Sequence, residues 1–181
     1  MEERPFRAAS PAPLQSLGFS PGRSYNNLLP RKFAHFCHFR HLRDEKAILQ
    51  SHRMAGLLID VMQQNRKQRR FLLHEFVVMP DPIHLLITPA PAVSLEKAMQ
   101  YIKGGYSFRA KKELVYPGSV WQASFDNHRI RGAIDYDRHR NYIHQNPVRR
   151  GLARTASEYP YSSAFPGAEI DPAPPALKRT V

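Results

Sequence analysis

The chain is poor in cysteine: Cys37 is the only one in 181 residues. A lone thiol excludes an intrachain disulfide and a cysteine-based zinc cluster, and it fits a reducing cytoplasm. Long hydrophobic runs are missing as well. None approaches the ~18 residues that a membrane span needs. The opening MEERPFRAASPAPLQ has no apolar core segment, so no secretory signal is expected there. Acidic residues are scarce, with 15 Asp and Glu against 27 Lys and Arg, for a net charge of +12 at pH 7. So large an excess in a small domain favours a polyanion, nucleic acid above all; a merely solvated basic surface is the bland alternative. Nine histidines occur, but no H-E-x-x-H spacing, which weakens a reading as a metal hydrolase. No internal repeat is apparent.

What is there suits one domain with extensions. Hydrophobic residues make up 42%, enough for a packed core. Residues 1–31, rich in Pro, Ser, Gly and Arg, read as an extended arm that is either loose or in contact with DNA. Residues 166–181, with several prolines, read as a flexible tail. Between them strand and helix patterns alternate. Lys32–Arg40 puts Phe33, His35, Cys37 and Phe39 on one face and Ala34, Phe36 and His38 on the other, the period of a strand. Ser51 is placed to cap a helix to about Asn65, with Met54, Leu57, Leu58, Val61 and Met62 as its apolar stripe. Phe71–Met79 and Ile83–Thr88 read as strands joined through Pro80-Asp81 in an antiparallel hairpin. A helix starts at Ser94, and Gly104-Gly105 either interrupts it or lets it run on through SFRAKKEL. Val120–Phe125 reads as a short strand. Asp135–Asn146 is the last helix, with Pro147 marking its end. This β-α-β-β-α-β-α order predicts an α+β fold, a ferredoxin-like antiparallel sheet packed with helices.

Three groups of residues could carry chemistry. Tyr142 and Asn146 are four apart, on one helical face with Asp135 and His139. A phenol can be a covalent nucleophile, and an amide oxygen one turn away can ligate Mg²⁺ or Mn²⁺. The competing reading makes Tyr142 a packing residue and Asn146 a C-terminal cap. His84 lies in the apolar strand IHLLIT, either as a metal ligand or as a hydrogen-bonded core histidine. Its same-face neighbour is Pro82, which offers no donor atom. His144 points away from that stripe, toward the surface or DNA. The third group is basic and aromatic. Lys103, Arg109, Lys111, Lys112 and Trp121, then His128, Arg129, Arg131, Arg149 and Arg150, offer cations for phosphates and a ring for unpaired bases. Here too the bland alternative is an amphipathic helix with its rings in the core.

The motifs MPDPIHLLITP, IKGGYS, VWQ, HRIR, YIHQNPVRRGL and EYPYSSA, in this order, resemble the REP-associated tyrosine transposases. These are single-domain relatives of the IS200/IS605 transposases in the HUH nuclease superfamily. The resemblance spans about Lys32 to Ala164. It implies a nucleophile at Tyr142, metal ligands at His84 and Asn146, and Mg²⁺ or Mn²⁺ as cofactor. The family's first ligand, a histidine, falls on Pro82, so a weakened site and impaired cleavage are expected; His74 and His128 are the candidate substitute imidazoles. The implied partner is a single-stranded DNA hairpin of the repetitive extragenic palindrome type. The implied reaction is cleavage and rejoining through a 5′-phosphotyrosine, in the cytoplasm, without a membrane or nucleotide cofactor, by a monomer or a homodimer. Two alternatives remain: a binding-only protein at palindromic repeats, and an RNA-binding module.

Overall fold

In the computed structural model of the chain, the described residues are 34–40, 49, 51–116 and 120–177. The expected arm over residues 1–31 lies outside them. The elements run β1 (His35–Phe39), α1 (His52–Lys67), β2 (Phe71–Val78), β3 (Ile83–Pro89), α2 (Leu95–Glu113), β4 (Asp126–Arg129) and α3 (Ala133–Arg149). The sheet order is β2-β3-β1-β4, and every neighbouring pair is antiparallel. The expected α+β architecture therefore holds, including the β2–β3 hairpin.

The period of two sorts the side chains. On one face, Phe39 packs edge-on to Trp121, which in turn contacts Tyr106 of α2. On the other, Phe36 meets His139 and Tyr142 of α3. Helices thus lie on both faces, α2 on one and α3 on the other. The α1 stripe is buried as its spacing requires, with Leu58 and Met62 fully inaccessible. Each such side chain contributes about 1.5–3 kcal/mol. Ser51 precedes α1 but makes no side-chain cap hydrogen bond. Ser94 does cap α2, its hydroxyl accepting from the Lys97 amide at 3.1 Å. Gly104-Gly105 does not interrupt α2, because the close approach of α1 needs a small residue there: a Cβ on Gly105 would sit 3.2 Å from Val61 Cγ1.

Three expectations are corrected. The last strand is Asp126–Arg129 rather than Val120–Phe125. Val120 and Trp121 are apolar because they plug the core, whereas β4 is an exposed edge strand held through its backbone, with no apolar alternation to see. Helix α3 does not stop before Pro147 but includes it and ends at Arg149. Gly151, at φ +66°, provides the left-handed exit. The amides of Gly151 and Leu152 donate to the carbonyls of Val148 and Pro147 at 3.0 and 2.8 Å, a Schellman ending. Finally, residues 166–177 are not loose. The Asp171 carboxylate accepts from the Leu73 amide at 2.8 Å and from Arg66 Nε at 3.0 Å, and Leu177 is buried. The polar contacts of Asp171 tie the segment to β2, which a proline-rich composition does not reveal. The YPYSS segment lines the same strand: Tyr161 O accepts from Val78 N at 2.8 Å, and Ser163 N donates to Phe76 O at 2.9 Å. No helix among the described residues is long and apolar enough to cross a membrane.

Candidate active site

Helix α3 is held to the sheet by a buried carboxylate. Glu75 on β2 accepts from His144 Nε2 at 2.8 Å and from Ser163 Oγ at 2.6 Å. His144 is therefore not a surface or DNA-facing residue. It faces the sheet, and this tether orients the turn that carries Tyr142.

The Tyr142 ring stands over β3. Its centroid is 5.2 Å from that of His84, with the planes at 86°. Phe36 lies nearly parallel to the imidazole at 5.6 Å and 14°, and also meets the Tyr142 ring edge-on at 5.9 Å. His84 is 3% exposed, and neither ring nitrogen has a hydrogen-bond partner. An unpaired buried polar group costs about 1–3 kcal/mol, so this ring invites an explanation other than core packing. Burial, then the neighbouring His38, Arg150 and Arg40, lowers its pKa to about 3. The ring is thus neutral at ordinary pH, with a lone pair available to a Lewis acid. One turn beyond Tyr142, Asn146 is 5% exposed, and its Nδ2 has no partner either. It lies inside α3, so it is not a C-terminal cap. Tyr142 itself is 38% exposed, and Arg149 lies over its ring at 5.9 Å. A solvent-reachable phenol beside an unpaired imidazole is an arrangement that can attack a phosphodiester. The buried, unpartnered nitrogens of His84 fit a divalent cation, and Asn146 can ligate it through its carboxamide oxygen, since its Nδ2 carries no lone pair to give.

Neither expected substitute imidazole serves here. His74 is fully buried and bonded to Thr88 Oγ1 at 2.8 Å. His128 bonds Asp135 at 2.9 Å and stacks on His139. His128, Asp135 and His139 form their own group, with ligand atoms within 4.8 Å of one another. The imidazole beside His84 is His38, directly across the β1–β3 ladder, at 5.8 Å between centroids. Sequence reading placed Phe36 and His38 on one face, but that this face meets α3 is a tertiary fact.

The basic candidates divide. Trp121 is 9% exposed and donates to Lys103 O at 2.8 Å, so it belongs to the core and not to a base-stacking surface. Lys103 donates to the carbonyls of Gln122 and Ser124 at 2.6 and 3.2 Å, and burial lowers its pKa. Arg109 is paired bidentately with Glu113 at 2.7 and 3.0 Å. Lys111 and Lys112 are exposed on α2, across the sheet from Tyr142. Arg129 and Arg131 flank Ile130 at the exposed β4 edge; Arg149 ends α3 over the Tyr142 ring, and Arg150 follows it, near enough to His84 to help lower its pKa. An RNA-binding surface of sheet aromatics does not form on this face, since α3 covers Phe36.

Residues 35–146 match the family described as Transposase IS200 like. The REP-associated tyrosine transposase of Escherichia coli K12 is 28% identical over 99 residues, covering 54% of this chain and 57% of that protein. A Haemophilus influenzae protein given a provisional name of the same kind is 29% identical over 96 residues, covering 48% and 54% respectively. The matches thus span little more than half the length of these relatives. A solved structure of a REP-associated tyrosine transposase bound to a REP hairpin superposes with a TM-score of 0.62 at 22% identity, covering 90% of this chain and 99% of that one.

Proposed function

This chain belongs to the IS200-like transposase family, and on that premise we propose that it binds single-stranded DNA hairpins and cleaves and rejoins them through Tyr142. The observation that carries this reading is the exposed Tyr142 ring set edge-on to the unpaired, buried His84, with Asn146 one turn further along α3. In the proposed step the Tyr142 oxygen attacks phosphorus in line. The bond to the 3′ oxygen breaks, leaving a 5′-phosphotyrosine and a 3′-hydroxyl. The phenol gives up one proton and the leaving oxygen gains one, and the bond energy stays in the covalent link. No nucleotide cofactor is required. His84 and Asn146 would hold Mg²⁺ or Mn²⁺, which when bound offsets the charge on a non-bridging phosphate oxygen. Arg149, over the Tyr142 ring, and Arg150, near His84, would position the backbone of the strand.

Pro82 supplies no donor where the family has a histidine, so we infer a weakened metal site and slower cleavage than a chain with histidine there. The test is a covalent-adduct gel with hairpin oligonucleotides and Mn²⁺. The unaltered chain is expected to form less adduct than Pro82→His, and Tyr142→Phe none. Equal yields from the unaltered chain and Pro82→His would refute the impairment. Adduct from Tyr142→Phe would refute the nucleophile. The second reading, a binding-only protein at palindromic repeats, also draws on Pro82. It predicts hairpin binding with no adduct from the unaltered chain.

A further inference from the structure

The site described above lacks a donor at position 82, yet a second imidazole stands beside His84 on the neighbouring strand. We propose that His38 takes the place of the missing ligand, so that a divalent cation is held by His38 Nδ1, His84 and the Asn146 carboxamide oxygen. This rests on the reading of Tyr142 and its metal given above.

Strand geometry makes the exchange possible. Residues i and i+2 of one strand lie about 7 Å apart, whereas residues directly paired across an antiparallel ladder lie about 4.5–5.5 Å apart at Cα. A cross-strand partner is therefore near enough to share an ion with His84 and to offset part of what position 82 lacks. His38 is the direct partner of His84, and both rings point to the face that α3 covers, 5.8 Å between centroids.

The chemistry of His38 fits a ligand. Its Nε2 bonds the Asp126 carboxylate at 2.7 Å. Donation from Nε2 leaves the lone pair on Nδ1, and a carboxylate behind a ligating histidine both orients the ring and raises its basicity. Asp126 is in turn the direct β4 partner of His38, so the orienting group is fixed by the sheet. His84 has two buried nitrogens with nothing to bond, and beside them Asn146 is buried with its Nδ2 unpartnered, its oxygen being the atom that would ligate. The other histidines on this face are committed: His128 and His139 to Asp135, and His144 to Glu75. Two imidazoles and one amide, with no carboxylate in contact with the ion, make a nitrogen-rich donor set. Such a set favours Mn²⁺ and the later divalent metals over Mg²⁺ and Ca²⁺.

The test is Mn²⁺ binding by the full chain without DNA, read from the loss of the free-ion EPR signal. His38→Ala and His84→Ala are each expected to weaken binding at least tenfold. Pro82→His/His38→Ala is expected to recover it, which also reports that the His38→Ala background folds. Asp126→Ala, at an exposed edge position, is expected to weaken binding about tenfold through His38 alone. If His38→Ala binds Mn²⁺ as the unaltered chain does while His84→Ala does not, the role of His38 is wrong and the metal reading stands. If only chains carrying Pro82→His bind, His38 is again no substitute, and the family-like site stands. If no chain binds, Pro82→His included, the metal reading falls together with this inference.

Discussion

The Tyr142 ring meets the His84 imidazole at right angles, 5.2 Å between centroids, with Phe36 stacked on the same imidazole. The phenol is thereby positioned by ring packing while the residue stays 38% exposed. Tyr142→Phe keeps that packing and removes only the oxygen. It is expected to abolish adduct formation while hairpin affinity, read by gel shift, stays within about threefold, or roughly 0.7 kcal/mol. A large loss of affinity would mean that the hydroxyl serves binding instead.

The division of basic residues between the two faces predicts which of them DNA feels. Arg150→Ala and Arg149→Ala are each expected to lower the slope of log K against log salt by about 1. Lys112→Ala, across the sheet from Tyr142, is expected to leave the slope unchanged. The opposite ranking would place the hairpin on α2.

His84 predicts an acid sensitivity. Its folded pKa lies near 3, below the ordinary histidine value of 6.5, mainly through burial. The unfolded chain therefore binds the proton more readily between these values. The stability gained by keeping the ring neutral is present above pH 6.5 and is lost as pH falls toward 3. The slope rises from half of about 1.4 kcal/mol per pH unit at pH 6.5 to nearly all of it at pH 5, so about 1.6 kcal/mol goes between the two. Urea unfolding at the two pH values should show that loss, and His84→Phe should reduce it by about the same amount. The comparison is a difference because burial also lowers the pKa of His74, which is present in both chains.

Asp171 joins the C-terminal segment to β2 through the Leu73 amide and Arg66. Asp171→Ala leaves both donors short of a partner. A loss of about 1–3 kcal/mol is expected, read as a lower urea midpoint with an unchanged m-value. No change would mean that the Asp171 carboxylate adds nothing to stability and that the segment is held by its backbone and by Leu177.

Legibility followed the apolar period. The paired strands β2 and β3 and the stripe of α1 announce themselves because one or both faces are buried. The edge strand β4, DNHR, is exposed at all four residues and carries no such signal. The same limit applies to the site. Tyr142 and Asn146 share a helical face by spacing alone, and His84 lies in a readable strand. His38 was visible on a face with Phe36, but only the ladder register puts it opposite His84. Glu75 lay in an apolar run, and its pairing with His144 joins residues 69 apart in sequence. Trp121 shows the converse, a ring amid cations that looked like a stacking platform and fills the core instead.

The bond between His144 and Glu75 fastens α3 onto the sheet of its own chain. Phenol and imidazole that adjoin are thus inherited together, by each polypeptide separately. Two disabled proteins, one bearing Tyr142→Phe and the other His84→Ala, are expected to remain inert when mixed, because neither can lend its intact half. Recovery on mixing would instead reveal helices traded between subunits.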